Sequence, residues 1–162
     1  MLTAKALPTI TEAMIEQYVE QGYLVIDNLF DEDDIKAMTD EAPKIARGIN
    51  GFPALLEDAE NKTDRELEEE ILCIHFPHAG SAVIKDYVCD ERVAHVLSKV
   101  TASHLPKSWW DGSVKCMQSM YFCKPPGMPG QAWHQDEIYI PTRDRSLIGA
   151  WYALDDVNVE NG

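Results

Sequence analysis

The tripeptide His134-Gln135-Asp136 sets an imidazole and a carboxylate two positions apart. On an extended strand residues i and i+2 face the same side, so two metal-ligand types would converge there. One histidine and one carboxylate are two thirds of the facial triad that holds non-haem Fe(II), whose open positions take an oxo-acid cosubstrate and dioxygen. The same spacing also suits a plain structural pair, a hydrogen-bonded histidine with an aspartate in a turn. Of the other histidines, His75, His78, His95 and His104, the first two lie on or beside an expected strand and are the better placed to complete a ligand set. Surface or supporting roles are their alternative. Cys73, Cys89, Cys116 and Cys123 form no C-x-x-C pair and match no zinc spacing, so they read as reduced, mostly packed thiols.

Both candidate ligands fall in a strand-rich stretch. Val114 to Phe122 alternates in the manner of a strand, and Ala132 to Ile140 and Leu147 to Leu154 are strand-like, joined by the polar turn Thr142 to Ser146. Lys124-Pro-Pro-Gly-Met-Pro-Gly130 suits neither a helix nor a central strand and is a loop.

The earlier part of the chain is mainly helical. Thr9 to Gln21 carries a 3.6-residue apolar stripe, with Thr9 and Glu12 as a capping box and Gly22 as the stop. A short strand over Tyr23 to Ile26 follows. Asp31 then caps a second helix bearing Ile35, Met38 and Ile45, which Pro43 should kink or shorten. Glu57 to Glu70 is acidic, a solvated loop or a surface helix, and lacks the ladder of oxygen ligands that calcium loops use. Ile71 to Phe76 reads as a strand, and Ser81 to Val100 as one or two helices with Asp90 as an internal cap. Helices first and antiparallel strands later predict an α+β chain with a β core.

At 162 residues, one domain is the default, and its core needs no disulfide or structural metal. Asp and Glu outnumber Lys and Arg by 28 to 14, and the resulting charge of −14 argues against nucleic acid and anionic membrane surfaces as partners. With no signal-like leader and no uninterrupted apolar run long enough to span a bilayer, the expected location is cytoplasmic. Asn161-Gly162 is a strong hairpin signal with no returning strand after it. The sheet is therefore expected to be cut off there, with a frayed terminus as the alternative, and its open edge would favour self-association.

Around the ligand pair stand Lys124-Pro-Pro-Gly, Pro129-Gly-Gln-Ala-Trp-His-Gln-Asp136, Tyr139, Gly149-Ala-Trp-Tyr-Ala-Leu-Asp-Asp156 and Glu160-Asn-Gly162. This text closely resembles the phytanoyl-CoA dioxygenase family, densely from about Met117 to Gly162 and more thinly over Ile71 to Val100. The resemblance implies an Fe(II)- and 2-oxoglutarate-dependent oxygenase on a double-stranded β-helix, a cupin-like jelly roll with N-terminal helices packed on it. Residues 1–162 would be a single oxygenase domain, incomplete at its C-terminus, with 1–106 mainly helical and 107–162 the first strands of the jelly roll. His134 and Asp136 would be the first two iron ligands. Trp151, and more loosely Met120, match positions lining the 2-oxoglutarate pocket, although plain core packing also suits both.

In the chemistry so implied, 2-oxoglutarate chelates iron, loses carbon dioxide to give succinate, and leaves an oxidant that hydroxylates a substrate carbon. Asp136 favours hydroxylation, because halogenating relatives carry a small residue at that position. The family's third ligand, a histidine, and its 2-oxoglutarate-pairing arginine lie beyond Gly162, so the 162-residue chain alone is expected to be inactive. A small organic substrate suits the acidic chain better than a phosphate-bearing acyl-CoA. Trp109, Trp110, Tyr139, Arg143 and Arg145 could line its cavity. The competing readings are a non-catalytic fragment and a cupin-like metal-binding or interaction module.

Overall fold

A computed structural model describes residues 5–101 and 103–160. The described residues combine short helices with a small antiparallel sheet, an α+β arrangement. They gather into two compact units, one of residues 5–29, 89–115 and 132–152, the other of 30–88, 116–131 and 153–160. None of the helices among them is long and apolar enough to cross a membrane.

In the first unit, α1 (Glu12–Gln21) pairs with α2 (Glu91–Val100). The hydroxyl of Thr11 rather than Thr9 caps α1, accepting the Met14 amide at 3.3 Å. Gly22 ends it at φ 79°, where a Cβ would be strained. The α1 stripe of Met14, Ile15 and Tyr18 is half-buried, whereas α2 buries Val93 and Val100 fully. Asp90 caps α2 as expected. Its carboxylate also pairs with Arg92 at 2.7 Å, both side chains being buried, and Arg92 Nη1 donates to the Leu29 carbonyl at 2.7 Å. Removing one member of a pair so buried costs several kcal/mol, because the other charge stays behind.

The second unit holds the larger core. Here α3 (Glu32–Thr39) opens on a reciprocal Asp31/Asp34 capping box, and α4 (Glu41–Ala46) follows after one intervening residue. Pro43 accounts for the break. It has no N–H to give the Thr39 carbonyl four residues back, and its ring crowds that same group. The acidic stretch resolves as a surface helix, α5 (Asp64–Glu70), with a Thr63/Glu66 capping box and Leu67 fully buried. Next come α6 (Pro77–Gly80) and α7 (Ala82–Val88). Met38, Ile45, Leu67, Ile74, Ile84 and Tyr87 fill the interior. Buried polar groups among them are paired, as Tyr87 shows by donating to Asp34 at 3.1 Å.

The sheet in this unit is one antiparallel pair, β1 (Cys73–His75) with β2 (Met120–Phe122), in the register Cys73↔Phe122, Ile74↔Tyr121 and His75↔Met120. The strand expected over Ile71 to Phe76 is therefore present, but that over Val114 to Phe122 shrinks to its last three residues. Tyr23 to Ile26, Ala132 to Ile140 and Leu147 to Leu154 join no ladder among the described residues. A β-prone sequence fits a pleated, half-buried surface, and without a neighbouring strand its pattern has no ladder to enter. The Asn161-Gly162 turn lies outside the described residues.

Candidate metal site

His134 and Asp136 lie together in the first unit, though not on a strand. His134 ends an irregular run, and Asp136 begins a 3₁₀ turn (Asp136–Ile138) whose first carbonyl accepts the Tyr139 and Ile140 amides, both at 2.9 Å. Gln135 between them is extended (φ −109°, ψ 126°), so the two side chains reach one side as they would on a strand, although no ladder among the described residues includes them. His134 Nε2 stands 3.3 Å from Asp136 Oδ1, with both side chains partly exposed.

The histidine's other nitrogen decides what this contact means. His134 Nδ1 lies 2.7 Å from the Ala132 carbonyl oxygen, which can only accept, so Nδ1 carries the hydrogen. A neutral ring then turns the lone pair of Nε2 toward a carboxylate oxygen. Two acceptors hold that arrangement only with a cation between them, either a proton on the ring or a metal ion. Neighbouring donors on an octahedral ion with bonds of about 2.1 Å stand about 3 Å apart, so the donor set and its spacing fit a divalent metal. Tyr139 packs edge-on against the imidazole, its ring centroid 5.5 Å away.

Two further residues stand close to the pair in the fold. Gly149 leaves space for the aspartate, since a Cβ there would come within 3.0 Å of Asp136 Oδ2. Glu137 accepts from the Thr142 amide, from the Thr142 hydroxyl at 2.8 Å and from the Leu147 amide at 3.2 Å. Desolvation works against its charge, but these donors together hold its carboxyl below the usual glutamate range. An acid just before a polar turn that opens on a threonine is the one sequence signal that could have singled it out.

The remaining candidates lie in both units. Trp151, in the same unit, is 71% exposed, so core packing does not describe it. Met120 sits on β2 of the other unit, 40% exposed. His75 ends β1, and His78 Nδ1 pairs with the Ser119 hydroxyl at 2.5 Å. His95 lies on α2, and His104 Nε2 donates to the Asp144 carbonyl at 2.9 Å. Among the described residues no three His, Cys, Asp or Glu side chains come close enough to hold a metal ion. A shallow cavity of about 550 Å³ is lined by Ser108, Trp109, Trp110 and Asp111.

Comparison with known proteins adds an independent line. The family model for phytanoyl-CoA dioxygenase (PhyH) matches residues 18–162. A phytanoyl-CoA dioxygenase of Arabidopsis thaliana is 26% identical over 176 residues, covering 95% of this chain and 62% of the relative. Phytanoyl-CoA dioxygenase 1 of Oryza sativa subsp. japonica is 24% identical, with the same coverage of both chains. A probable alpha-ketoglutarate-dependent hypophosphite dioxygenase of Stutzerimonas stutzeri is 20% identical over 90% of this chain and 48% of its own length. The chain thus spans about half to three fifths of the length of these relatives. No solved structure matches it at a significant level.

Proposed function

The chain belongs to the phytanoyl-CoA dioxygenase family, and from that premise we propose that it is part of an Fe(II)- and 2-oxoglutarate-dependent dioxygenase that hydroxylates a small organic molecule. The observation that carries this is the His134–Asp136 pair, an imidazole lone pair and a carboxylate oxygen 3.3 Å apart with the ring fixed through its other nitrogen. These two residues would hold the metal. Bound iron with 2-oxoglutarate would supply the oxidation of a substrate C–H bond by dioxygen.

The chain's own groups prepare that site. The Ala132 carbonyl keeps the hydrogen on Nδ1 and leaves Nε2 as the donor. Asp136 supplies negative charge, which favours a dication over a second neutral ligand and leaves no vacancy for a halide. Trp151, and Met120 by a looser match, would border 2-oxoglutarate.

We further propose that the third ligand and the arginine facing the far carboxylate of 2-oxoglutarate come from outside these 162 residues, and that β1, β2 and the extended segments belong to a jelly roll completed there. The greater length of the relatives supports this. A charge of −14 favours a small organic substrate over a phosphate-rich thioester, and a cytoplasmic setting suits the reduced thiols. A non-catalytic metal-binding module is the second reading, favoured by the two-ligand set among the described residues.

Anaerobic Fe(II) titration tests the site. His134→Ala and Asp136→Ala should each weaken binding by a similar large factor, and equal affinity in all three proteins overturns the assignment. Succinate release by the full-length gene product separates the enzyme from the binding module, which would take up metal without turnover.

A further inference from the structure

We infer that Glu137 is a positioning residue for the His134–Asp136 pair: it ties down the 142–147 loop and so keeps Gly149 where its missing side chain leaves room for the Asp136 carboxylate. This role rests on the metal-site reading above and names a residue that the reading does not require.

Glu137 touches neither ring nor carboxylate of the pair, so its effect must travel through the loop. Its two oxygens reach both sides of that loop. Oε1 takes the Thr142 amide and hydroxyl at the start, and Oε2 takes the Leu147 amide at the end. The Thr142 hydroxyl has one hydrogen, given to Glu137, and its lone pair accepts the Ser146 amide at 3.0 Å. Ser146 Oγ donates to Asp144 at 2.6 Å, and His104 holds the Asp144 carbonyl. The loop between the two arms is therefore closed on itself, with Glu137 joining both ends.

Two residues past Leu147 the chain reaches Gly149. The only atom within 4 Å of a Cβ built there is Asp136 Oδ2, at 3.0 Å. The carboxylate thus occupies the space that a side chain at position 149 would take, and Glu137 sets the path of that backbone from one residue further along the turn. With Oδ2 on that side, Oδ1 of the same carboxylate stands 3.3 Å from His134 Nε2. Support of this kind around a metal ligand is typically worth 10- to 100-fold in metal affinity.

Nuclear magnetic resonance of the metal-free chain, with ¹⁵N-labelled histidine rings, tests the inference without requiring metal. The His134 Nε2 resonance should move in Glu137→Ala toward its position in Asp136→Ala, while those of His75, His78 and His95 stay in place. Thr142→Val and Gly149→Ala, milder changes in an exposed loop, should move it in the same direction. Glu137→Gln, which keeps one acceptor oxygen, should restore much of the wild-type shift. A His134 resonance unchanged in Glu137→Ala and Gly149→Ala overturns the positioning role, as does its loss in Asp136→Ala alone.

Co(II) titration then separates the two ideas. Where wild type binds Co(II), Glu137→Ala should bind it about 10- to 100-fold more weakly, and equal affinity counts against Glu137. A wild type that binds no Co(II) counts against the metal reading, while the ring resonances still decide the role of Glu137.

Discussion

The Ser81 hydroxyl donates to the buried carboxylate of Glu41 at 2.5 Å and at the same time accepts the Ile84 amide at 3.1 Å. One oxygen thereby caps α7 and satisfies a charge on α4, with Lys44 pairing the other carboxylate oxygen at 2.6 Å. Ser81→Ala takes a hydrogen bond from Glu41 and a cap from α7 in a single step. Unfolding free energy should fall by about 1–3 kcal/mol, the usual cost of leaving buried polar groups unmet. Urea denaturation with an unchanged slope checks it, and a loss within error would mean that water replaces the hydroxyl.

Acid should loosen α5. Glu66 accepts both the amide and the hydroxyl of Thr63 at 2.7 Å, and these bonds hold its carboxyl below the usual glutamate range. A depressed folded value stabilises the fold above the unfolded value of about 4.3, and that contribution disappears as pH falls through the folded one. The stability gap between wild type and Glu66→Gln should therefore narrow as pH falls below about 4.3. A constant gap would detach the cap from the charge.

The thiols should divide by exposure. Burial, followed by the negative charges of Glu68 and Cys73, pushes the Cys123 thiol up to about 12, and burial raises Cys73 as well. Cys89 and Cys116 are exposed. Since the thiolate is the nucleophile, iodoacetamide at mildly alkaline pH should modify Cys89 and Cys116 first and Cys123 only on unfolding. Mass spectrometry of peptides after timed quenching reads the order, and early labelling of Cys123 would contradict the packing of β2.

Self-association is expected from the sheet. Among the described residues β1 and β2 have only each other as neighbours, and Met120 and Phe122 are about two-fifths exposed. Open edges with apolar side chains pair readily with further strands. Sedimentation should show concentration-dependent association that Phe122→Lys reduces, and a monomer at every concentration would remove the expectation.

How much of this could be read in advance depended on the range of each interaction. Asp31, Gly22 and Asp90 were legible because a cap is settled within four residues of itself. Thr9 misled because Thr11 offers the same hydroxyl two positions closer to the helix. The meeting of His134 with Asp136 was legible because the backbone at Gln135 between them is extended, although no ladder among the described residues includes that segment. Glu137 stayed silent because its partners depend on how a loop returns, and Gly149, though it opens one of the stretches that carry the resemblance, gave no sign of standing beside Asp136. The strands were the hardest, because β-propensity does not say whether a partner is present.

The pairing of His78 with Ser119 spans 41 residues and the rungs of the β1–β2 ladder 45 to 49, and both wait for a segment that follows α7, whereas the contacts among α3 to α7 need nothing beyond Val88. During synthesis, β1 therefore emerges long before its partner exists. Helices α3 to α7 can form meanwhile, and the ladder closes last, slowed by the loop entropy it must overcome. Until then Ile74 and its neighbours are an unpartnered apolar strand, the kind of segment that draws nascent chains into aggregates. The acidic run just ahead of it, from Glu57 to Glu70, places like charges beside that strand in every copy of the chain, and so keeps unfinished molecules apart until β2 arrives.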